Sequence, residues 1–151
     1  MMQRNAEAQT ALSSQSVDQD LENLRSTLAT AAEARSGTPQ LSTVQSQTRI
    51  LKRHLNRLFD LEEVEDYLEF VVARLPHLHG QVAELKAEHD EFRGVINALL
   101  ARLDQIESQD QQRFDALCLE IHEVICRVLA HGRAEGRLLS RAFQSDEGGE
   151  G

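Results

Sequence analysis

Five ionisable residues stand at positions where the surrounding pattern calls for apolar side chains: Glu62, Asp66, His89, His131 and Glu135. Imidazole and carboxylate are donors that first-row metals accept. Burying either group alone is costly unless it is paired, hydrogen-bonded or bound to an ion. His131 and Glu135 are four residues apart, so on a helix they share a face and can hold one ion together. Each residue also has a plainer explanation. A histidine on an apolar face is commonly a hydrogen-bonded core residue. Glu62 and Asp66 can lean outward beside Glu63 and Glu65, and Glu135 can pair with Arg133 or Arg137 at a helix margin. A site exists only if separate segments bring these side chains to one level.

The segments that must do so read as helices. Leu, Ala, Glu, Gln and Arg dominate a chain of 151 residues with 2 Pro and 8 Gly, a composition that favours helix and starves turns. The first helix is expected from about Val17 to Arg35, capped by Ser16, with Val17, Leu21, Leu24 and Leu28 on one face and Ser36-Gly37 as its stop. A second opens at Thr38-Pro39 and runs to about Arg74, before Leu75-Pro76 breaks it. Its stripe is Val44, Thr48, Leu51, Leu55, Leu58, Glu62, Asp66 and Phe70. The third spans about His77 to Ile106 with Leu78, Val82, Leu85, His89, Phe92, Ile96, Leu99 and Leu103 in line. Ser108 with Gln111 resembles a capping box opening the fourth, which carries Phe114, Leu117, Ile121, Val124, Val128, His131, Glu135 and Leu138 to about Ala142.

Short connections between long helices predict an all-α, up-down-up-down four-helix bundle over residues 17–143, with a loose arm over 1–16 and a disordered acidic tail over 144–151. Heights then follow from the rise per residue. Glu62 and His89 lie about 13 residues either side of the Pro76 turn and Asp66 about 10. His131 and Glu135 are offset from His89 by roughly 6 to 12 Å, counting from Ser108. Three helices thus aim polar groups at one stretch of the interior.

With 25 acidic against 16 basic residues the formal charge is −9, and no basic stripe is interleaved with aromatics. Nucleic acid is not an expected partner. No apolar run approaches the roughly 20 residues that span a bilayer, and the opening Met1 to Gln15 lacks the apolar core of a signal peptide, so a cytoplasmic protein is expected. Cys118 and Cys126 are about 12 Å apart along one helix, too far for a disulfide. With His122 they line one helical face and offer a weak zinc or thiol-pair signal, against the plainer reading of small apolar residues flanking the core. No nucleophile sits at a strand-to-helix elbow and no glycine-rich loop cradles phosphate, so no enzyme is expected.

The stretches DYLEFVVARLP (Asp66 to Pro76), LKAEHDEF (Leu85 to Phe92) and HGRAEGRLLSRAF, which begins at His131, resemble the H-F-x-x-E-E, H-x-x-x-H and H-x-x-x-E elements of the hemerythrin-like family of cation-binding bundles. The likeness spans about Val17 to Gly151. It implies that His89 matches the second histidine of the third helix, and that His131 and Glu135 match the ligand pair of the fourth. The family's other positions fall here on Asp66, Phe70 and Leu85, and the first helix offers no histidine. Three of the usual five imidazoles and one carboxylate are missing, which argues against an oxygen-bridged di-iron centre. Two readings follow. In one, a single ion, iron by resemblance, is held by Asp66, His89, His131 and Glu135 with Glu62 in reserve, serving metal-linked or oxygen-linked binding or sensing of a small gas. In the other, the bundle is metal-free and acts as a structural or interaction module, paired with itself or with a protein partner.

Overall fold

A computed structural model of the chain describes residues 2–33, 38–65, 67–107 and 109–148, and no strand occurs among them. Five α-helices account for nearly all of these: α1 (Met2–Glu33), α2 (Thr38–Glu65), α3 (Tyr67–Arg74), α4 (His79–Gln105) and α5 (Gln111–Gly148). A single 3-10 turn, Pro76–Leu78, joins α3 to α4.

Helix α1 reaches back to Met2 instead of starting near Val17. The stretch before Val17 lacks an apolar stripe, but it also lacks Gly and Pro and is rich in Ala and Gln, so helix propensity alone carries it. Ser16 accordingly caps nothing: its hydroxyl donates to the Leu12 carbonyl at 3.1 Å, one turn back inside the helix. The predicted stop at Ser36-Gly37 lies outside the described residues, as does Ser108. The bond that opens α5 belongs to Asp110, whose Oδ1 accepts from the Arg113 amide at 3.1 Å. At its far end α5 continues to Gly148, beyond the expected limit at Ala142.

The break at proline is where the sequence puts it. Leu75 takes φ −130° and ψ 74°, outside the helical region that a following proline disfavours for its neighbour. Its amide still closes the last turn of α3, on the Val71 carbonyl at 2.7 Å.

Cross-helix contacts set the directions of the long neighbours. Gln45 donates to the Leu103 carbonyl at 2.9 Å, and Arg93 reaches Asp60 at 2.9 Å, so numbers rise along α2 as they fall along α4. Arg102 pairs with Glu120 at 2.7 Å and Arg127 pairs with Glu91, which makes α4 and α5 antiparallel in the same way. Helix α1 packs chiefly on α2 and also touches α5.

Buried apolar residues form two clusters. The larger joins α1, α2, α4 and α5 from Val17, Leu24, Leu55 and Phe59 to Phe92, Leu103, Phe114 and Val128. The smaller consists of Leu68 and Val71 of α3, Leu78 of the turn, Val82 and Leu85 of α4, and Leu138 and Ala142 of α5. Along each of three chain stretches a polar residue marks the passage from one cluster to the other: Glu62 between Phe59 and Leu68, His89 between Leu85 and Phe92, and His131 between Val128 and Leu138.

Candidate metal centre

His89 and His131 are 1% and 4% exposed, buried as deeply as the leucines around them. Helix α4 turns His89 inward because it continues the stripe of Leu85, Phe92 and Ile96, and α5 does the same for His131 between Val128 and Leu138. Aromatic rings fix their planes. Phe59 stacks on the His89 imidazole with centroids 4.0 Å apart and planes 11° from parallel. Phe92 meets His131 edge-on at 5.4 Å, and the two imidazoles lie 5.0 Å apart.

The two rings present the same pair of contacts. Each Nε2 points to one oxygen, Glu135 Oε1, at 3.0 Å from His89 and 2.6 Å from His131. Each Nδ1 points the other way, to a second carboxylate: Glu63 at 3.2 Å from His89 and Glu88 at 3.3 Å from His131. A carboxylate that accepts a hydrogen bond from Nδ1–H fixes the ring's orientation and tautomer, so that Nε2, once it has lost its proton, is the atom that would bind an ion. Ligand atoms of His89, His131 and Glu135 all lie within 4.8 Å of one another, a spacing that one ion could span.

Glu62 adds a fourth group. Its Oε2 lies 3.3 Å from His89 Nε2 as a charge pair, yet it is buried with no hydrogen bond aligned on it. Burial is the main cause that pushes its carboxyl up to about 7, with the Glu135 charge adding to it against the lowering influence of His89. Burial also opposes the charged form of His89, but the hydrogen bond to Glu135 and the pull of the Glu62 carboxyl prevail and lift it to about 10. His131 is raised too, burial being outweighed by Glu135 and Glu88. Glu135 moves down to about 2, because donation from His131 and His89 overcomes its desolvation. Without an ion, protons hold this cluster together.

Of the residues singled out in the sequence, Glu62, His89, His131 and Glu135 therefore converge, and Asp66 lies outside the described residues. Phe70 is half-buried and Leu85 is buried in the smaller apolar cluster, so both act as filling. His54 pairs with Asp20 at 2.5 Å on the α1–α2 side. His77 and His79 are exposed. Cys118 is half-buried against the core, its thiol pushed up to about 11 by burial and then by Asp115. Cys126 is exposed instead of flanking the core, with Sγ 4.0 Å from His122 Nδ1. Glu63, Glu88 and Phe59 were not foreseen. Glu88 had a signal, the acid directly before His89. Phe59 had a fainter one, its place four residues after Leu55.

The fit to a cation is chemical as well as geometric. Two imidazoles whose Nδ1 atoms already have carboxylate partners, and which become neutral once an ion displaces their Nε2 protons, form with the Glu135 carboxylate and the neighbouring Glu62 oxygen a mixed nitrogen and oxygen donor set. Fold and cluster together define an all-helical protein with a buried imidazole–carboxylate centre. The model of the hemerythrin HHE cation-binding domain matches residues 15–142, and the chain belongs to that family. The chain is also similar to small ribosomal subunit protein uS15 of Alkalilimnicola ehrlichii, 28% identical over 75 residues, 48% of this chain and 84% of that protein. A second uS15, of Thioalkalivibrio sulfidiphilus, is 30% identical over 76 residues, 48% of this chain and 85% of its own. No solved structure matches the chain.

Proposed function

We propose that this protein is a non-catalytic, cytoplasmic cation-binding bundle, its long helices arranged up-down-up-down, that holds one transition-metal ion between His89, His131 and Glu135. Glu62 supplies a further oxygen. The observation that carries this reading is the common orientation of the two imidazoles, Nε2 toward one carboxylate oxygen and Nδ1 toward another carboxylate. A bound ion would take the place of the protons now shared there and would supply a Lewis-acidic or redox-active centre. Iron fits such donors and is the metal that the family resemblance implies. A small gas ligand is the corresponding signal. Apolar filling by Leu85 and Phe70 favours one ion over two.

A second reading is favoured by the same contacts seen from the other side. Glu135 is satisfied by two ring nitrogens at 3.0 and 2.6 Å, so the cluster closes on itself without an ion and suits a metal-free interaction module. The ribosomal likeness covers about half of the chain, and a net charge of −9 opposes the phosphate contacts a ribosomal role would need.

Elemental analysis of untagged protein from iron-supplemented cells separates the two. About one transition-metal ion per chain, lost in a His89→Ala and His131→Ala double variant, supports the cation reading. Below about a tenth of an ion per chain, with the wild type still cooperatively folded, the metal-free reading stands.

A further inference from the structure

The outer face of α5 carries a pair of side chains that the interior centre does not use. His122 and Cys126, one turn apart, are both exposed, and Cys126 Sγ lies 4.0 Å from His122 Nδ1. Imidazole nitrogen and thiolate sulfur are both donors that zinc takes. Bonds of about 2.0 and 2.3 Å in a tetrahedron hold a nitrogen and a sulfur roughly 3.5 Å apart, so the pair has to close by only about half an ångström, within reach of two exposed side chains. Cys118 is half-buried against the core and does not extend the pair.

One chain thus offers two ligands, and a closed tetrahedral zinc site needs four. A second copy, related by a two-fold axis through the ion, supplies the same two. Such an axis meets α5 at the level of Val124, midway between His122 and Cys126. With the two helices antiparallel, it sets each residue before that level against its counterpart after it. The surroundings of the pair suit this arrangement. Asp115, Leu119, His122, Cys126, Ala130 and Arg133 recur at spacings of three and four and are all exposed, so they form one stripe along the outside of α5. Asp115 and Arg133 lie nine residues either side of Val124. Each carboxylate is thereby set level with the guanidinium of the other copy, about 13 Å along the helix from the ion. Arg133 has no ion pair of its own among the described residues. Leu119, 74% exposed, falls level with Leu129 and Ala130 of the other copy and gains the apolar cover it lacks in one chain.

We propose that His122 and Cys126 of two copies of this chain hold one zinc ion between them and join the copies antiparallel across α5. Each Cys126 thiol releases its proton to solvent as the sulfur binds, and each His122 offers an unprotonated ring nitrogen, so one Zn2+ and two thiolates form a neutral centre. The site goes beyond the interior cation reading, since neither residue belongs to that cluster, and it stands whether or not the interior holds an ion.

The test is analytical ultracentrifugation of the full untagged chain in a non-chelating phosphine reductant, with and without zinc chloride. Zinc is expected to convert monomer into dimer and EDTA to reverse it, the wild type taking up about half an ion per chain more than a Cys126→Ser variant. Cobalt(II) in place of zinc should give a thiolate-to-metal charge-transfer absorption, which the interior nitrogen and oxygen donors cannot produce. That absorption should be lost in Cys126→Ser and kept in Cys118→Ser. His122→Ala should weaken zinc-dependent dimerisation at least about tenfold. Asp115→Arg should weaken it about tenfold, and adding Arg133→Asp should restore it. A chain that stays monomeric with zinc, a dimer that survives Cys126→Ser or EDTA, a dimer that forms only when the reductant is left out, or a double charge reversal that does not restore pairing would each overturn the proposal.

Discussion

The two apolar clusters differ in how completely they are closed. The larger draws on four long helices, and its central residues, Leu24, Val44, Phe92 and Leu103, are wholly buried. The smaller rests on the eight-residue α3, a 3-10 turn and the ends of α4 and α5, and α1 contributes none of its buried residues. Where α1 and α2 stop supplying buried apolar residues, polar side chains enter the interior, and a cavity that both helices help to line lies beside them. The fold thus concentrates its apolar closure in one region and places its chemistry at the seam with the other. Charged groups can be buried at such a seam because they find each other there, not because the surroundings are tolerant.

The contrast can be broken most sharply at the seam itself. In chelator-treated protein, His89→Ala removes the partner of three carboxylates and the ring stacked on Phe59. It should cost about 4 kcal/mol in urea unfolding; a loss below about 1 kcal/mol would mean that the seam is not a closed interior. Leu24→Ala in the larger cluster should cost about 3 kcal/mol, and Leu138→Ala in the smaller about 2, because side chains beside open space can relax into the void. Equal losses would remove the distinction between the two regions.

Acidity provides a gentler probe. Glu62 at about 7 and His89 at about 10 both lie above their unfolded values of 4.5 and 6.5, so their contributions are complete at low pH and are lost as pH rises, first from 4.5 to 7 and then from 6.5 to 10. Glu135 at about 2 works in the opposite sense: its contribution is full above 4.5 and lost as pH falls toward 2. Thermal unfolding of the chelated protein should therefore be highest near about pH 5 and decline steadily toward pH 9. Cation affinity should rise over the same range, because an ion competes with the Nε2 protons. The smallest effect belongs to the cavity wall, where Gly136→Ala should stabilise by about 0.5 to 1 kcal/mol through helix propensity alone.

Helical periodicity made the buried stripes legible: Leu21, Leu24 and Leu28 of α1 and Leu85, Phe92 and Leu103 of α4 are buried as their spacing requires. The same periodicity exposed His89, His131 and Glu62 as polar interruptions. It could not reveal Glu63 and Glu88, which lie off the stripes and reach inward only through their length. The start of α1 was hidden for the opposite reason. Periodicity reports burial, and Met2 to Gln15 forms helix through propensity with little to bury. Nor does spacing within single helices show the cavity, whose lining comes from four of them.

The outer shell of His89 ends at the protein surface. Glu63 is nearly half-exposed and is gripped by Arg93, which also reaches Asp60 and Asp90 and lies over the ring of Phe59. Exposed guanidinium–carboxylate contacts are the ones dissolved salt screens most readily. An enclosed imidazole is thereby connected to ionic strength through two side chains, so the medium outside can reach the proton on its Nδ1 without opening the interior.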